Sequence, residues 1–272
     1  MHGLGNDFVV VRADSVPDNV NQLAVQVCDR NFGVGADGLV YILPSEQADF
    51  RMRIFNADGT EPEQCGNAVR CVAKYIYDYK LKEDTNIAIE TKAGLQTVKI
   101  TDVDGVAAAV KVNMGAPILD GLAVPTIFAE TPVVNQEIVV DGKSFLFTAV
   151  SMGNPHAVIF VDELNDSLTA QYGSKIEVHE YFPKKTNVEF VKVLSPNEVQ
   201  MKVWERGVGE TLACGTGACA TGVAAVLTGN TGTSVTVHLR GGDLFIEWDR
   251  EANVVYMTGP AQEVFTGQWL LA

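Results

Sequence analysis

The chain carries one sequence signature twice, and this repeat constrains its fold more than any other feature. A Cys-Gly pair followed by small and apolar residues occurs at Cys65-Gly66 and again at Cys214-Gly215. The two cysteines lie 149 positions apart (214 − 65), and other landmarks keep nearly the same offset. These landmarks are Gly5-Asn6 with Gly153-Asn154, Asn56 with Glu205, Gly38 with Asn187, and Arg53-Ile54-Phe55 with Lys202-Val203-Trp204. Two copies of one unit, each with a thiol at a helix start, predict chemistry that uses both thiols.

Length and composition allow two folded domains. The chain has 272 residues, of which 47% are hydrophobic, enough for two buried cores. The segment from about residue 117 to 142 contains Pro117, Pro125 and Pro132 and matches nothing in the first copy. Because domain boundaries fall in such segments, we expect one domain from residues 1–117 with 262–272, and a second from residues 118–261.

Charge and cysteine usage exclude several classes of partner. The formal net charge of −14 disfavours nucleic acid or an anionic membrane surface. No apolar run approaches the roughly 18 residues of a membrane span, and the N-terminus lacks a signal sequence. The five cysteines are an odd number in a chain without a secretion signal. They therefore indicate reduced thiols in the cytoplasm rather than a disulfide framework.

Short β-rich runs dominate the chain. Strands are predicted in the first copy at 8–12, 39–43, 50–55, 87–91, 97–101 and 107–112. They are predicted in the second copy at 144–150, 157–161, 187–193, 198–204, 234–239, 244–248 and 254–257. Helices are predicted at 21–29 and 164–172 and, at the Cys-Gly pairs, at 65–79 and 214–227.

The two helices that start at the Cys-Gly pairs lack a continuous polar face. Their apolar positions include Ala68, Val69, Val72, Ala73, Tyr75, Ile76, Ala218, Ala220, Val223, Ala224, Ala225 and Val226. Such helices are normally buried on every side, which in a strand-rich unit requires a sheet curled around them. We therefore predict an α+β fold of two pseudo-symmetric domains, each a curled, mostly antiparallel β-sheet wrapped around a central buried helix. Gly229-Asn230 is the predicted stop of the second helix.

Two further sequence patterns are candidate nucleotide-binding or metal-binding sites. The segment from Gly33 to Gly38 fits GxGxxG, but that fingerprint needs a strand before it and a helix after it, and here the predicted order is reversed. We read a glycine-rich turn, with a nucleotide site as the alternative. The cysteines lack the close spacing of a zinc site, so no metal is predicted, and Cys28, Cys71 and Cys219 are expected to be core residues.

A helix N-terminus changes the chemistry of a cysteine. It lowers the thiol pKa from ~8.5 toward ~3.5–7.5, and its N–H groups attract a carboxylate. Two such termini suit one task, which is to hold an α-carboxylate while a base on each side works on the neighbouring carbon. The N–H donors stabilise charge that develops as the α-proton leaves. One thiolate and one opposing thiol would invert the centre by proton transfer, without pyridoxal phosphate.

Polar residues at the repeat landmarks fit an amino-acid ligand. Five asparagines lie there, namely Asn6, Asn56, Asn67, Asn154 and Asn187. Any one alone is more simply a turn former, but five at repeat-related places favour a binding role. Glu205 suits an ammonium group and Arg206 a carboxylate. His156 either tunes a thiol or is a structural histidine, and both readings stay open.

These residues closely resemble the diaminopimelate epimerase family over essentially the whole chain. The matching stretches are Met1-His2-Gly3-Leu4-Gly5-Asn6-Asp7-Phe8, Phe55-Asn56-Ala57-Asp58-Gly59, Gln64-Cys65-Gly66-Asn67, Ser151-Met152-Gly153-Asn154-Pro155-His156, Glu205-Arg206-Gly207-Val208-Gly209-Glu210-Thr211, Ala213-Cys214-Gly215-Thr216-Gly217 and Met257-Thr258-Gly259-Pro260-Ala261. The resemblance implies interconversion of LL- and meso-2,6-diaminopimelate without a cofactor, on the route to lysine and peptidoglycan precursors. It also implies a final strand, at about residues 264–272, that returns to the first domain.

The resemblance assigns roles residue by residue. It implies that Cys65 and Cys214 are the acid/base thiols. The residues implied to hold the reacting α-carboxylate are Gly66, Asn67, Gly215 and Thr216. Those implied to hold the rest of the substrate are Asn6, Asn56, Asn154, Asn187 and Arg206. Glu205 is implied near the reacting ammonium, and either it or His156 supports a thiol. The amino acid is the only expected partner, and a homodimer is left open.

The chain departs from the family pattern at two places. Many relatives carry Gln where this chain has Gly38, so a substrate contact is expected to be missing or supplied by water. Relatives also begin a few residues earlier, with a short strand before His-Gly-Leu-Gly-Asn. We therefore expect the first domain to lack that strand, or the natural start codon to lie upstream.

Three rival functions remain. A proline racemase resembles this build and also uses two cysteines, but Arg206 and the asparagines suit a second charged end that proline lacks. A phenazine-pathway isomerase of the same fold lacks the paired cysteines. A thiol redox switch, with Cys65 and Cys214 as a regulatory disulfide, would keep a function when oxidised, whereas the enzyme needs both thiols reduced.

Overall fold

The computed structural model describes residues 1–62 and 65–270. The chain divides into a first unit, Met1–Val112 with Thr258–Ala272, and a second unit, Asn113–Met257. The sequence-based division, 1–117 with 262–272 and 118–261, differs from this one by a few residues at each boundary. No helix within the described ranges is long and apolar enough to cross a membrane.

The first unit is a mixed sheet with two helices. Its strands are β1 (His2–Gly3), β2 (Asn6–Arg12), β3 (Gly38–Leu43), β4 (Phe50–Asn56), β5 (Asn86–Thr91), β6 (Gly94–Val103) and β7 (Val106–Asn113). Its helices are α1 (Val20–Cys28) and α2 (Gly66–Asp78). The strands lie side by side in chain order. Pairs β2–β3 and β4–β5 are parallel, and the other neighbours are antiparallel.

The second unit repeats this plan. Its strands are β8 (Gln136–Val140), β9 (Lys143–Ser151), β10 (Pro155–Phe160), β11 (Asn187–Ser195), β12 (Glu198–Glu205), β13 (Gly209–Glu210), β14 (Ser234–Leu239), β15 (Gly242–Asp249) and β16 (Val254–Gly259). Its helices are α3 (Asp166–Leu168), a π-helical turn (Thr169–Gly173), α4 (Ser174–Glu177) and α5 (Gly215–Leu227). The order is β16-β15-β14-β12-β11-β10-β9-β8, with β13 beside β12, and β10–β11 and β12–β14 are parallel.

The strand register identifies equivalent residues in the two units. Val40 lies between Val10 and Ile54 in the first sheet, and Glu189 lies between Val158 and Val203 in the second. Phe8 is opposite Gly38, as His156 is opposite Asn187. Phe8 and His156 are therefore equivalent, and so are Val40 and Glu189.

Each long helix is the centre of its unit. Helix α2 contacts β1, β2, β4 and β6, whereas α5 contacts β9, β10, β11, β12, β14 and β15. A helix can contact so many strands only if the sheet curls around it, as the apolar pattern predicts. Helix α2 also buries two cations, Arg70 and Lys74, which that pattern did not anticipate. Gly229 (φ 73°) follows α5 in the left-handed conformation typical of a helix stop.

Three details differ from expectation. A two-residue strand that was not predicted, β1, spans His2–Gly3 at the sheet position where the second unit has the nine-residue β9, and the absence of a strand before His2 stays a prediction. Residues 264–270 of the expected final strand form no strand, and 271–272 lie outside the described residues. The chain pairs instead at Gln262, whose N–H and carbonyl both bond His2 at 2.9 Å. Strand β8 lies in the proline-containing segment where only the domain boundary was expected, and its Ile138 and Val140 are buried.

Candidate active site

Cys65 lies at the start of α2 beside two predicted binding residues. It is the N-cap residue, with extended backbone (φ −149°, ψ 103°), and it is half-buried. Its sulfur lies 3.9 Å from Asn6 Oδ1, which also accepts a hydrogen bond from Asn67 Nδ2 at 3.0 Å. The structure thus brings Asn6, Cys65 and Asn67 together at one helix end, where Gly66 is the first helical residue.

An exposed charge cluster fixes the orientation of Asn6. The Asn6 amide nitrogen donates to Asp37 Oδ2 at 2.7 Å. A carboxylate only accepts hydrogen bonds, so the amide oxygen of Asn6 must face Cys65 and Asn67. Arg30 in turn pairs with Asp7 and Asp37, each at 2.8 Å.

Arg70 is a fully buried cation next to this helix start. Its guanidinium donates to Asn67 Oδ1 at 2.9 Å, to the Gly66 carbonyl at 3.4 Å and to the Pro260 carbonyl at 3.1 Å. Sequence reasoning did not single out Arg70, because an arginine in a helix that also carries Lys74 and Asp78 reads as an exposed residue.

Asn56 lies at the end of β4, opposite Gly38. Its amide donates to Thr60 Oγ1 at 3.0 Å, so the turn after β4 holds the side chain. A Cβ at Gly38 would lie 3.0 Å from the Phe55 carbonyl oxygen. A glutamine at this position would therefore need a small backbone shift.

Cys214 occupies the same place on α5. It is the N-cap residue (φ −123°, ψ 109°), and its sulfur accepts a hydrogen bond from the Gly217 N–H at 3.4 Å. The hydroxyl of Thr216 lies 3.5 Å from the sulfur. Only 5% of the residue is exposed. The thiol is nevertheless surrounded by polar groups, because the Glu205 carboxyl also contacts it.

The electrostatic surroundings of Cys214 reverse the expected direction of its pKa. Burial raises the pKa well above the ordinary thiol value, and the carboxylates of Glu205 and Glu189 raise it further. The hydrogen bonds from Thr216 and the Gly217 N–H lower it, but only in part. The helix end thus lowers the pKa of Cys214 as expected, but burial and the two carboxyl groups outweigh it, so the net direction is upward.

Glu205 has a raised pKa as well. Burial is the main cause, while its hydrogen bond from Thr211 Oγ1 at 2.5 Å and the nearby His156 act in the opposite direction. Two groups beside α5 therefore resist ionisation together, which is typical of sites that handle protons.

His156 is fully buried and bonded at both ring nitrogens. Nδ1 lies 2.6 Å from Glu189 Oε1, and Nε2 lies 3.0 Å from Asn154 Oδ1. Asn154 and His156 are thus joined by a direct bond. Glu189 was not among the predicted residues, although a glutamate inside an apolar strand run was a usable signal.

Asn187 and Arg206 lie together at the ends of β11 and β12. The Asn187 amide donates to the Pro155 carbonyl and accepts from the Arg206 N–H, both at 2.8 Å. The Arg206 side chain is exposed and donates to the Lys184 carbonyl at 3.2 Å. Glu177 anchors the next turn, because its carboxylate accepts from the Gly207 N–H at 3.0 Å and from Trp204 Nε1 at 2.8 Å.

The remaining motifs have structural places. The glycine-rich segment follows α1 and precedes β3, and the N–H groups of Val34 and Gly35 bond the Val27 carbonyl at the helix end. It is thus a turn after a helix, as predicted. Cys28, Cys71 and Cys219 are buried. Among the described residues, no group of three His, Cys, Asp or Glu side chains could hold a metal ion.

Comparison with known sequences identifies the family. The sequence model described as "Diaminopimelate epimerase" matches residues 1–119 and 148–264. A diaminopimelate epimerase from Heliobacterium modesticaldum is 52% identical over 273 residues, covering 98% of this chain and 97% of the relative. Another, from Desulforudis audaxviator, is 55% identical over 274 residues, covering 100% of this chain and 98% of the relative.

A solved structure supports the fold. The structure of a probable proline racemase from Agrobacterium radiobacter aligns with a TM-score of 0.71 at 15% identity. The alignment covers 100% of this chain and 92% of the other. Similarity at this low identity concerns the fold alone, and it confirms the predicted α+β class. With both long stretches matched by the family model and relatives above half identity over nearly the whole length, the chain belongs to the diaminopimelate epimerase family of isomerases.

Proposed function

We propose that the chain interconverts LL- and meso-2,6-diaminopimelate without a cofactor, in the cytoplasm, on the route to lysine and peptidoglycan precursors. The names of its relatives support the substrate. The observation that carries the mechanism is that Cys65 and Cys214 cap equivalent helices of thirteen residues each. Inverting a carbon needs one base and one acid, and a doubled thiol arrangement supplies both.

In the proposed reaction one cysteine is a thiolate and the other a thiol. The thiolate takes the α-proton from one face of the substrate, and the electron pair of the broken C–H bond moves into the α-carboxylate. The thiol then gives its proton to the opposite face of the same carbon. The substrate leaves with inverted configuration, and the two cysteines have exchanged protonation states. Cys65 and Cys214 are the proposed catalytic residues.

The helix ends supply donors for the charge that develops on the carboxylate. The N–H groups at Gly66 and Asn67 on α2, and at Gly215 and Thr216 on α5, belong to the first turns, whose donors have no partner within the helix. Gly217 is excluded because its N–H already bonds the Cys214 sulfur. Preorganised donors of this kind stabilise the transition state more than the ground state.

The other predicted residues are proposed to hold the rest of the amino acid. Asn6, Asn56, Asn154, Asn187 and Arg206 are assigned to the distal end and its carboxylate, and Glu205 to the reacting ammonium. An ammonium beside Glu205 would offset the negative charge that disfavours ionisation of Cys214. We therefore expect the Cys214 thiolate to form with substrate bound rather than in the free protein.

The test is solvent-deuterium incorporation at the α-carbon, comparing the unaltered protein with Cys65→Ser and Cys214→Ser. Each variant should lose epimerisation by roughly 10²–10⁴-fold, because positioned proton transfer contributes about that much. Cys219→Ala is the matched control, since it removes a buried thiol from the same helix as Cys214. Unchanged turnover in either serine variant would remove that thiol from the mechanism. Equal turnover of proline would favour the racemase alternative.

A further inference from the structure

The carboxyl group of Glu189 lies in an unusual environment. Glu189 is completely buried in β11, and its neighbours along the strand, Val188 and Phe190, are buried as well. Oε1 contacts His156 at 2.6 Å, while Oε2 has no hydrogen-bond partner among the described residues. A buried carboxyl with an unsatisfied oxygen costs free energy of folding, so it persists only where another role maintains it.

The hydrogen bonds of His156 determine how many protons the pair holds. Asn154 Oδ1 can only accept, so Nε2 of the ring must carry a proton. At Nδ1, either the ring donates to a Glu189 carboxylate or a protonated Glu189 donates to the ring. Both arrangements contain the same number of protons, and both give the pair a net charge of zero. His156 and Glu189 therefore share one proton across their 2.6 Å contact.

The first turn of α5 is shaped to admit this carboxyl. A Cβ at Gly217 would lie 2.7 Å from Glu189 Oε1 and 3.2 Å from the Cys214 sulfur. The carboxyl oxygen and the thiol sulfur thus flank the same backbone carbon. The equivalent pair in the first unit is Ala68 with Val40, where the helix carries the methyl group and the strand carries an apolar side chain. In the second unit the helix residue is Gly217, which has no methyl group, and the strand residue is Glu189, whose carboxyl oxygen lies close to it.

We propose that Glu189 is a positioning residue for Cys214. Glu189 acts through the proton that it shares with His156. The carboxyl end of this neutral pair faces the thiol of Cys214, and Glu189 therefore opposes loss of the thiol proton. Through His156, Glu189 also fixes the orientation of the Asn154 amide. The groups that face Cys214 are Glu205 from β12, Glu189 from β11 and the N–H groups of α5, with His156 from β10 behind them. The consequence for turnover rests on the proposed function, but the consequence for the thiol does not.

The test replaces the carboxyl by an amide of the same shape. In Glu189→Gln, alkylation of Cys214 by iodoacetamide, followed by mass spectrometry of the Cys214 peptide, should begin at a pH lower by about one unit, because the carboxyl end of the pair no longer faces the thiol. Asp78→Asn is the matched control. It neutralises a carboxylate that pairs with Lys74 on α2, and it should leave the Cys214 profile unchanged. An identical alkylation profile in Glu189→Gln and the unaltered protein would overturn the proposal.

Kinetics separate this proposal from the proposed function. Glu189→Gln should lower kcat for epimerisation by about tenfold with a smaller change in KM, since a group that tunes proton transfer acts mainly in the transition state. If the alkylation profile shifts while Cys65→Ser and Cys214→Ser remain active, the positioning role stands and the two-thiol mechanism fails.

A second variant guards against misfolding. The double substitution His156→Phe with Glu189→Val installs the apolar pair that the first unit uses at the same sheet positions, and it should fold because that packing already exists in this chain. Its alkylation profile should also shift to lower pH, and an unshifted profile in the folded double variant would contradict the proposal.

Discussion

Helices α2 and α5 begin with the same Cys-Gly pair and have the same length, yet the side chains behind them differ in kind. The strand positions behind α2 hold Phe8 and Val40, both apolar. The equivalent positions behind α5 hold His156 and Glu189, which are joined by a buried contact of 2.6 Å. The second thiol helix therefore has an ionisable pair where the first has hydrocarbon.

The difference has a counterpart on the helices themselves. Position 70 of α2 is a buried arginine that bonds Gly66 and Asn67, the two residues after Cys65. The equivalent position of α5 is Cys219. Helix α2 thus carries a buried cation in its first turns, whereas the thiol at the start of α5 faces the carboxyl groups of Glu205 and Glu189. A repeated backbone does not impose repeated electrostatics, and the proposed reaction, which needs one acid and one base, would gain from that freedom.

The largest expected effect comes from removing the buried cation. Arg70→Met should lower the free energy of unfolding by about 3 kcal/mol, because it leaves Asn67 Oδ1 and the Pro260 carbonyl without the guanidinium donor. Cys219→Ala, at the same helix position in the second unit, should cost only about 1 kcal/mol, since it removes one buried sulfur. Urea unfolding of both variants measures the difference. Equal losses of unfolding free energy in the two variants would mean that positions 70 and 219 contribute equally to stability.

A smaller loss of stability should follow from exchanging Gly217 and Ala68, the helix residues that face Glu189 and Val40. Gly217→Ala places a methyl group 2.7 Å from Glu189 Oε1 and should destabilise the protein by about 2 kcal/mol through overpacking. The reverse change, Ala68→Gly, should cost about 1 kcal/mol, mainly through backbone entropy. Combining Gly217→Ala with Glu189→Val should recover most of the lost stability. Failure to recover it would show that the carboxyl is not what excludes the methyl group.

The effect that is smallest near neutral pH concerns alkaline stability, where the two units are expected to agree. Burial raises the pKa of Cys71 in the first unit to about 12 and that of Cys214 in the second well above its usual value. An unfolded thiol releases its proton near pH 8.5, whereas these folded thiols retain it. Their stabilising contribution is therefore complete below about pH 8.5 and declines as pH rises toward the folded pKa.

Each thiol should reduce the free energy of unfolding by about 1.4 kcal/mol per pH unit in that window. Cys71→Ala and Cys214→Ala should each flatten the decline between pH 8.5 and 10, as measured by urea unfolding at fixed temperature. A slope that changes in only one variant would show that the two buried thiols differ in more than their neighbours.

Much of the fold could be predicted because the repeated motifs mark where the two long helices begin. The helices expected at 65–79 and 214–227 begin and end within one residue of α2 and α5, since the Cys-Gly pairs mark their starts. Strand β8 was missed because its segment has no counterpart in the first copy and contains prolines. The alternation in Gln136–Val140, with Ile138 and Val140 buried, was the available signal.

The site was predictable in its parts but not in its charges. Both thiols occupy the helix starts where the sequence placed them, and Asn6 and Asn67 lie beside the first. The strand sequence marks Glu189 only as a glutamate in an apolar run, and its contact with the first turn of α5 depends on Gly217, which is distant in sequence. Comparing the copies position by position would have shown the exchange of Ala68 and Val40 for Gly217 and Glu189. The raised pKa of Cys214 depends on burial and on carboxyl groups from two strands that meet one helix, which no local pattern encodes.

The close approach of Glu189 to Gly217 also bears on the history of the chain. Had the two halves descended from identical copies with alanine on the helix and valine on the strand, the order of change would have been constrained. A glutamate arriving first would have collided with the methyl group, whereas the loss of that methyl group could be tolerated beforehand. Epistasis of this kind makes the glycine the permissive step, and it predicts that an ancestral reconstruction would acquire the two residues in that sequence.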